Sequence, residues 1–217
     1  MIQVKNIHKS YGSVEVLKGI NLEISKAEIV AITGASGAGK TTLLQIMGGL
    51  EKPDNGEVCI NGNNIFKMSA RETAKFRNNQ MGFVFQFHYL LPEFSILENI
   101  MLPALIAGKS KKEAKENARE ILSFLGLQER ENNRPSEVSG GEGQRVAVAR
   151  AIINNPPVVF ADEPSGNLDT ANALALHDLF FSLREKYKQT FVIVTHNEHL
   201  AAKSDRKIEM KDGRLSK

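Results

Sequence analysis

Ile29-Val30-Ala31-Ile32-Thr33-Gly34-Ala35-Ser36-Gly37-Ala38-Gly39-Lys40-Thr41-Thr42-Leu43-Leu44-Gln45-Ile46-Met47 decides how the rest of the chain is read. Ile29–Thr33 is an unbroken apolar and β-branched run, the pattern of a strand buried on both faces. Gly34–Lys40 is a glycine-rich loop, and a helix is expected to start at Thr41. A strand, a G-x-x-x-x-G-K-T loop and a helix, in that order, are the setting in which such a loop cradles phosphate. The glycines let backbone N–H groups turn inward. The helix N-terminus adds its positive dipole end. Lys40 then reaches the β- and γ-phosphates and the Thr41 hydroxyl suits Mg²⁺. The glycine spacing does not fit G-x-G-x-x-G, which disfavours a dinucleotide fold.

Further along, Val158-Val159-Phe160-Ala161 and Phe191-Val192-Ile193-Val194-Thr195 are also continuous apolar runs, as in a parallel sheet covered on both sides. Val14–Leu17 and Ile20–Ile24 read as strands. Asn61-Gly62 and Asp212-Gly213 each follow a strand-like run and signal hairpins. From about Phe87 to Arg145 the pattern turns helical. There Ser110-Lys111-Lys112-Glu113 has the spacing of a capping box. Behind it Ala114, Ala118, Ile121, Leu122 and Leu125 form an apolar stripe of core type, and Gly126 stops the helix. The expected architecture is one α/β unit over residues 1–217, with a core of 1–86 and 146–217 and a helical subdomain of about 87–145.

Composition sets wider limits. The chain has 217 residues, 41% apolar and 24% charged, as expected for a globular protein with a sizeable core. No run approaches the roughly 18 apolar residues of a spanning helix. The longest candidate, Ile100–Gly108, is interrupted by Pro103. The N-terminus lacks the layout of a signal peptide, so a cytosolic chain with at most a peripheral membrane role is expected. Cys59 is the single cysteine, which excludes an internal disulfide and a cysteine-based zinc cluster. The net charge of +3 suits an anionic membrane face or an ordinary solvated surface. No basic block argues for nucleic acid.

Asp162-Glu163 closes the run at Val158–Ala161. Asp162 at the strand end can hold Mg²⁺ through water. Glu163, one residue on, points elsewhere and can draw a proton from an attacking water. Ser139-Gly140-Gly141 opens a helix of Gln144–Ala151 and offers a second anion site. One triphosphate has one γ-phosphate, so that site is best used on a neighbouring chain; an ordinary Ser139 N-cap is the plain alternative. Gln86 at the edge of the helical region can touch Mg²⁺ or the water. His196 ends a strand where a neutral imidazole can contact a γ-phosphate, though a lone histidine there is also often structural. His8, His88, His177 and His199 carry only a structural reading. Tyr11 suits stacking on adenine or plain surface exposure.

Together these motifs resemble the nucleotide-binding subunits of ATP-binding cassette (ABC) transporters over essentially the whole chain. The resemblance identifies Tyr11 as the adenine-stacking aromatic and Gly34–Thr41 as Walker A. Gln86 matches the Q-loop glutamine, Val138–Arg145 the signature, Asp162 Walker B and Glu163 the catalytic glutamate. Ser165-Gly166-Asn167-Leu168-Asp169 looks like the D-loop, and His196 like the switch histidine. It implies a RecA-like P-loop NTPase core, an antiparallel β lobe and an inserted helical subdomain. It also implies ATP and Mg²⁺ as ligands. ATP would meet Tyr11, Gly34, Ala35, Ser36, Gly37, Ala38, Gly39, Lys40, Thr41, Thr42 and Asp169, with Ser139 and Gly141 supplied by a second copy. Mg²⁺ would meet Thr41, Gln86 and Asp162. Gly143 departs from the pattern, where glutamine or arginine is commoner.

Within that family, Gln86–Ser95, Leu97–Ile100, Arg134–Ser139 and Asn154-Asn155-Pro156 look most like the lipoprotein-releasing ATPases, then their relatives in macrolide export and cell division. The implied partners are integral membrane permease subunits and a second nucleotide-binding subunit, at the cytoplasmic face of the inner membrane. Phe87, Tyr89, Leu90, Leu91 and Phe94 are many apolar residues for one loop. They form either lobe core or a groove for a partner helix. A soluble ABC ATPase of DNA or ribosomes is the reading from another class; the chain lacks a coiled-coil insert and a second cassette.

Overall fold

The computed structural model describes residues 1–216. The chain opens with β1 (Ile2–Tyr11) and β2 (Val14–Ile24), followed by β3 (Ile29–Gly34) and α1 (Lys40–Met47). Next come β4 (Asn55–Ile60), β5 (Asn63–Asn64), α2 (Ala70–Gln80) and β6 (Met81–Phe85). Helices α3 (Ile96–Ile106), α4 (Lys111–Phe124) and α5 (Gly140–Ile152) follow. The chain closes with β7 (Val158–Asp162), α6 (Thr170–Tyr187), β8 (Thr190–Val194), α7 (Glu198–Lys203), β9 (Arg206–Lys211) and β10 (Arg214–Leu215).

Two sheets form. One is antiparallel, in the order β2-β1-β4-β5; the other runs β10-β9-β3-β8-β7-β6 and is parallel except at β10. The apolar runs read as central strands are its middle: every residue of β8 and the first five of β3 are buried. Strand side chains alternate between faces, and here the alternation divides two cores. Val30, Ile32, Val158, Phe160, Val192 and Val194 pack toward α1 and the antiparallel sheet. Ile29, Val159, Ala161, Phe191 and Ile193 pack toward α3–α6. Apart from Ala161, each such side chain contributes roughly 1.5–3 kcal/mol on burial, so both layers are anchored on one sheet.

Register positions the site. Phe85 pairs with Asp162, Asp162 with Val194, and Ile32 with Val194. The chain therefore leaves β6, β7, β8 and β3 side by side, at the carboxyl edge where open α/β sheets bind ligands.

The Asn61-Gly62 and Asp212-Gly213 turns have positive φ at both residues (50° and 80°; 48° and 77°), as a two-residue type I′ hairpin requires. Gly126 terminates α4 at φ 67°. Three details differ from the sequence reading. Val14–Ile24 is one strand, with Gly19 at φ 75° and slipped register against β1 absorbing the break. The box expected at Ser110 is half formed: Ser110 caps Glu113 N–H, but the Glu113 carboxylate turns to Lys109 at 3.4 Å. Residues 87–95 are not helical, α2 precedes them, and α5 runs through position 145.

Candidate active site

The phosphate loop is compressed between β9 and β2. Gly34 sits at φ 138°, where a Cβ would strike the Met210 carbonyl oxygen. Gly39 sits at φ 98°, where a Cβ would lie 2.9 Å from Leu17 Cδ2. Only glycine meets both demands. Helix α1 begins at Lys40, with Gly39 as its N-cap, no side-chain cap and no acidic residue in its first turn. Its leading N–H groups thus keep their donor capacity. Lys40 is buried, and its ammonium curls back to donate to the carbonyls of Gly34 and Ala35, both at 2.9 Å.

Thr41 Oγ1 donates to Asp162 Oδ1 at 3.1 Å, joining the helix start to the end of β7. Burial raises the Asp162 carboxyl above its ordinary range, opposed by the Thr41 hydroxyl and the Lys40 charge. Glu163 occupies the left-handed region at φ 46°, a costly conformation for a side chain with a Cβ. Two contacts with β8 and its exit hold it there: Glu163 N–H donates to Val194 O at 2.9 Å, and Oε2 accepts from His196 N–H at 3.2 Å. His196 Nε2 lies 3.3 Å from Oε1 but is not aligned for a hydrogen bond, leaving Oε1 buried without a partner among the described residues.

These groups line one cleft of about 380 Å³, shared by Tyr11, Ser36, Lys40, Thr41, Glu163 and His196. Gly37, Gly39 and Thr42 lie on its wall, and Ala38 is buried beside it. Tyr11 is half exposed at the rim, with Lys9 Nζ 5.1 Å from its ring centre.

Eight residues singled out in the sequence stand outside that lining: Asp162, bonded to Thr41; Gly34 and Ala35 in the adjoining cleft; buried Ala38; and Gln86, Asp169, Ser139 and Gly141. Gln86 donates through Nε2 to Asn167 Oδ1 at 2.9 Å, while Asn167 Nδ2 reaches back to Gln86 O at 3.3 Å. Asp169 N-caps α6 by accepting from Asn172 N–H at 3.0 Å, which holds its carboxyl below the ordinary range. Ser139 and Gly141 open α5. There Ser139 Oγ accepts from Glu142 N–H at 3.2 Å and Glu142 Oε2 accepts from Ser139 N–H at 2.8 Å, a complete capping box. The Ser139 backbone N–H, its hydroxyl and then Arg130 (Nε at 2.9 Å) hold the Glu142 carboxyl at about 2.

Several supporting residues escaped the sequence reading. Gln144 Nε2 donates to Phe85 O at 2.8 Å, and the Arg150 guanidinium donates to the carbonyls of His88 and Tyr89, each at 2.7 Å. Buried Asn99 bridges Leu91 and Phe94. They fasten the segment after β6 to α5 and α3, and no local pattern announces them. With the backbone so held, Leu90 is buried while Phe87, Tyr89, Leu91 and Phe94 stay exposed, so all but Leu90 depart from the lobe-core alternative. At Gly143 the space is taken by a neighbour: a Cβ there would lie 3.1 Å from the His88 ring.

Known proteins resemble this chain in sequence and in fold. The "ABC transporter" family model matches residues 17–166. A "Lipoprotein-releasing system ATP-binding protein LolD" of Bacteroides thetaiotaomicron is 61% identical over 217 residues, covering 100% of both chains. Its namesake in Porphyromonas gingivalis is 57% identical, covering 99% of this chain and 98% of the relative. Among solved structures, "Dimeric Structure of MJ0796, a Bacterial ABC Transporter Cassette" superposes with TM-score 0.92 at 39% identity, over 100% of this chain and 97% of the other. A post-hydrolysis state of that cassette, bound to ADP and Pi, gives 0.91 at 38%, over 100% and 97% of the two chains. With a glycine-built phosphate loop, a strand-end carboxylate pair and a matched model spanning most of its length, the chain belongs to the ABC transporter family.

Proposed function

We propose that this chain is the ATP-binding and ATP-hydrolysing subunit of an ABC transporter, and that its work is the release of lipoproteins from the inner membrane. The observation that carries the enzymatic part is the placement of Glu163. Its carboxylate is pinned by His196 N–H, one oxygen is buried and unpartnered, and it shares a cleft with Lys40 and Thr41. The loop N–H groups, the Lys40 ammonium and the α1 N-terminus bind the phosphates of ATP. Thr41 Oγ1 and the Asp162 carboxylate are hard oxygen donors 3.1 Å apart and fit Mg²⁺. When bound there, Mg²⁺ supplies neutralisation of the phosphate charge. Glu163 Oε1 orients a water and takes its proton as the water attacks the γ-phosphate. His196 and Gln86 sense that phosphate, and Tyr11 stacks on the base.

Ser139 and Gly141 lie off the cleft lined by Lys40, and this supports a two-copy reading. A second chain presents its α5 N-terminus to the γ-phosphate held here, beside Asp169. The dimeric solved cassette is consistent with that assembly. Exposed Tyr89 packs edge-on against Phe85, which lines a cleft with Pro103 and Arg150, and exposed Phe87 packs on Tyr89; this face is where permease subunits dock. Among the described residues no helix is long and apolar enough to cross a membrane. As an ATP-binding subunit docked on permeases, the chain is proposed to work peripherally, on the cytoplasmic side. The lipoprotein cargo is supported by the relatives at 61% and 57% identity. Residues 87–145 are proposed to move as the subdomain that carries the signature.

Glu163→Gln tests the site. It keeps the shape and removes the base, so kcat is expected to fall by about 10²–10⁴ while ATP still binds and the closed dimer accumulates. A wild-type rate overturns the assignment.

A further inference from the structure

His177 lies on the inward face of α6 with no exposed surface, and the site described above makes no use of it. Its Nε2 is 3.0 Å from Ser165 Oγ. Ser165 is also buried, and His177 is its hydroxyl's one side-chain partner among the described residues. We infer that His177 is a positioning residue for ATP hydrolysis: through Ser165 it fixes the turn that carries the backbone from Glu163 to α6. This rests on the reading of Glu163 as the base.

The turn is short and strained at its start. It leaves Glu163 at φ 46°. Gly166 N–H then donates to Glu163 O at 3.0 Å and Leu168 N–H to Ser165 O at 3.1 Å. Its far side holds Gln86 through Asn167. The base and the Gln86 contact thus hang from one loop, which is tied into α6 at two points: Asp169 at the helix start and, nearer the base, Ser165 to buried His177. A shift of the loop swings the Glu163 carboxylate, and small misplacements at a reacting centre cost rate rather than binding.

The imidazole is a poor choice for filling space. Its Nδ1 is buried without a partner among the described residues, which costs free energy that a phenyl ring would not. Buried polar atoms left this way call for an explanation, and the Ser165 contact supplies it. An unpartnered N–H is rarer than an unpartnered lone pair. The proton therefore belongs on Nε2, and His177 donates to Ser165 Oγ. Burial, then His199 of α7, whose ring stacks 6.4 Å away, push the His177 imidazole below the ordinary histidine range, with Asp178 opposing and Lys203 adding to the shift.

The test compares His177→Phe, His177→Gln, Ser165→Ala and the double variant His177→Phe/Ser165→Ala in the purified full chain. ATP binding and steady-state hydrolysis are measured for each. His177→Phe is expected to lower kcat about tenfold, with KM and nucleotide affinity within about twofold of wild type. Ser165→Ala should match it. The double variant should be no worse than either single, because both remove one bond. His177→Gln, which keeps a donor, should recover most of the rate. A wild-type kcat in His177→Phe overturns the inference, as do losses that multiply in the double variant or fall on affinity instead of kcat. If His177→Phe does not fold, Ser165→Ala decides by the same readouts: a wild-type kcat there overturns the inference. Glu163→Gln run alongside separates the two claims. A dead Glu163→Gln beside a normal His177→Phe overturns this inference alone, and an active Glu163→Gln overturns the reading beneath it.

Discussion

Two glycine-rich helix starts, α1 and α5, share a backbone plan and differ in what satisfies them. Helix α1 has an N-cap without a side-chain acceptor and no acid in its first turn, and a buried ammonium is folded against the loop before it. Helix α5 has a serine N-cap, a glutamate reaching back to it, and Arg130 gripping that glutamate. The first is an anion site built for this chain's own cleft. The second is already quieted from within, and its serine hydroxyl remains for an outside ligand. On the proposed reading, one polypeptide carries a site that works from its own residues and a site that waits for another molecule's phosphate. That asymmetry is what a head-to-tail pair needs.

The comparison breaks most visibly at α1. Lys40→Ala removes the loop's one fixed positive charge, and charge-assisted contacts of roughly 1.5–3 kcal/mol translate to about 10–100-fold in affinity. Titration with a fluorescent ATP analogue should show that loss in the isolated chain; unchanged binding would strip Lys40 of its role. Ser139→Ala at α5 should behave differently. ATP affinity of the isolated chain should stay at the wild-type level, while kcat falls about tenfold for one missing donor to the γ-phosphate. The lost cap should also lower stability by about 1 kcal/mol. An affinity loss like that of Lys40→Ala would mean both helix starts serve the same nucleotide.

The α1 side was far more legible in the sequence than the α5 side. Strand, loop and helix are contiguous at Ile29–Met47, so spacing alone announces the fold and the chemistry. The Asp162-Glu163 pair and His196 lie far apart in sequence, yet each stands at or just past the end of a buried apolar strand, and parallel register aligns strand ends. The segment after Gln86 was not legible in this way. Arg150 holds carbonyls 61 and 62 residues away, and Gln144 one at 59. Such ties depend on tertiary approach, so no local pattern records that Phe87 and Tyr89 face outward. Helix α2 went unread because it buries none of its residues and shows little apolar stripe. Its signal was available in Ser69-x-x-Glu72, a box that forms fully, whereas the box read at Ser110 forms only halfway.

That last contrast gives the smallest and sharpest test. Glu142 and Glu113 both stand three residues after a serine N-cap, but only Glu142 bonds the cap's backbone N–H. Its folded carboxyl sits at about 2 against an ordinary 4.5. A depressed pKa contributes stability that is complete above the ordinary value and disappears as pH falls toward the folded one. Glu142→Ala should therefore unfold about 1–3 kcal/mol more easily than wild type at neutral pH. The gap should hold down to pH 5, narrow below 4.5 and close near 2, as denaturant melts at a series of pH values would show. Glu113→Ala should shift stability by less than about 0.5 kcal/mol at every pH. High salt should remove only the share due to Arg130, whose side chain is 45% exposed, because screening acts on exposed pairs far more than on a backbone hydrogen bond. A gap independent of pH would mean that Glu142 holds α5 by packing alone. The serine would then be ordered by something other than its box, and the α5 start would no longer be the self-satisfied counterpart of α1.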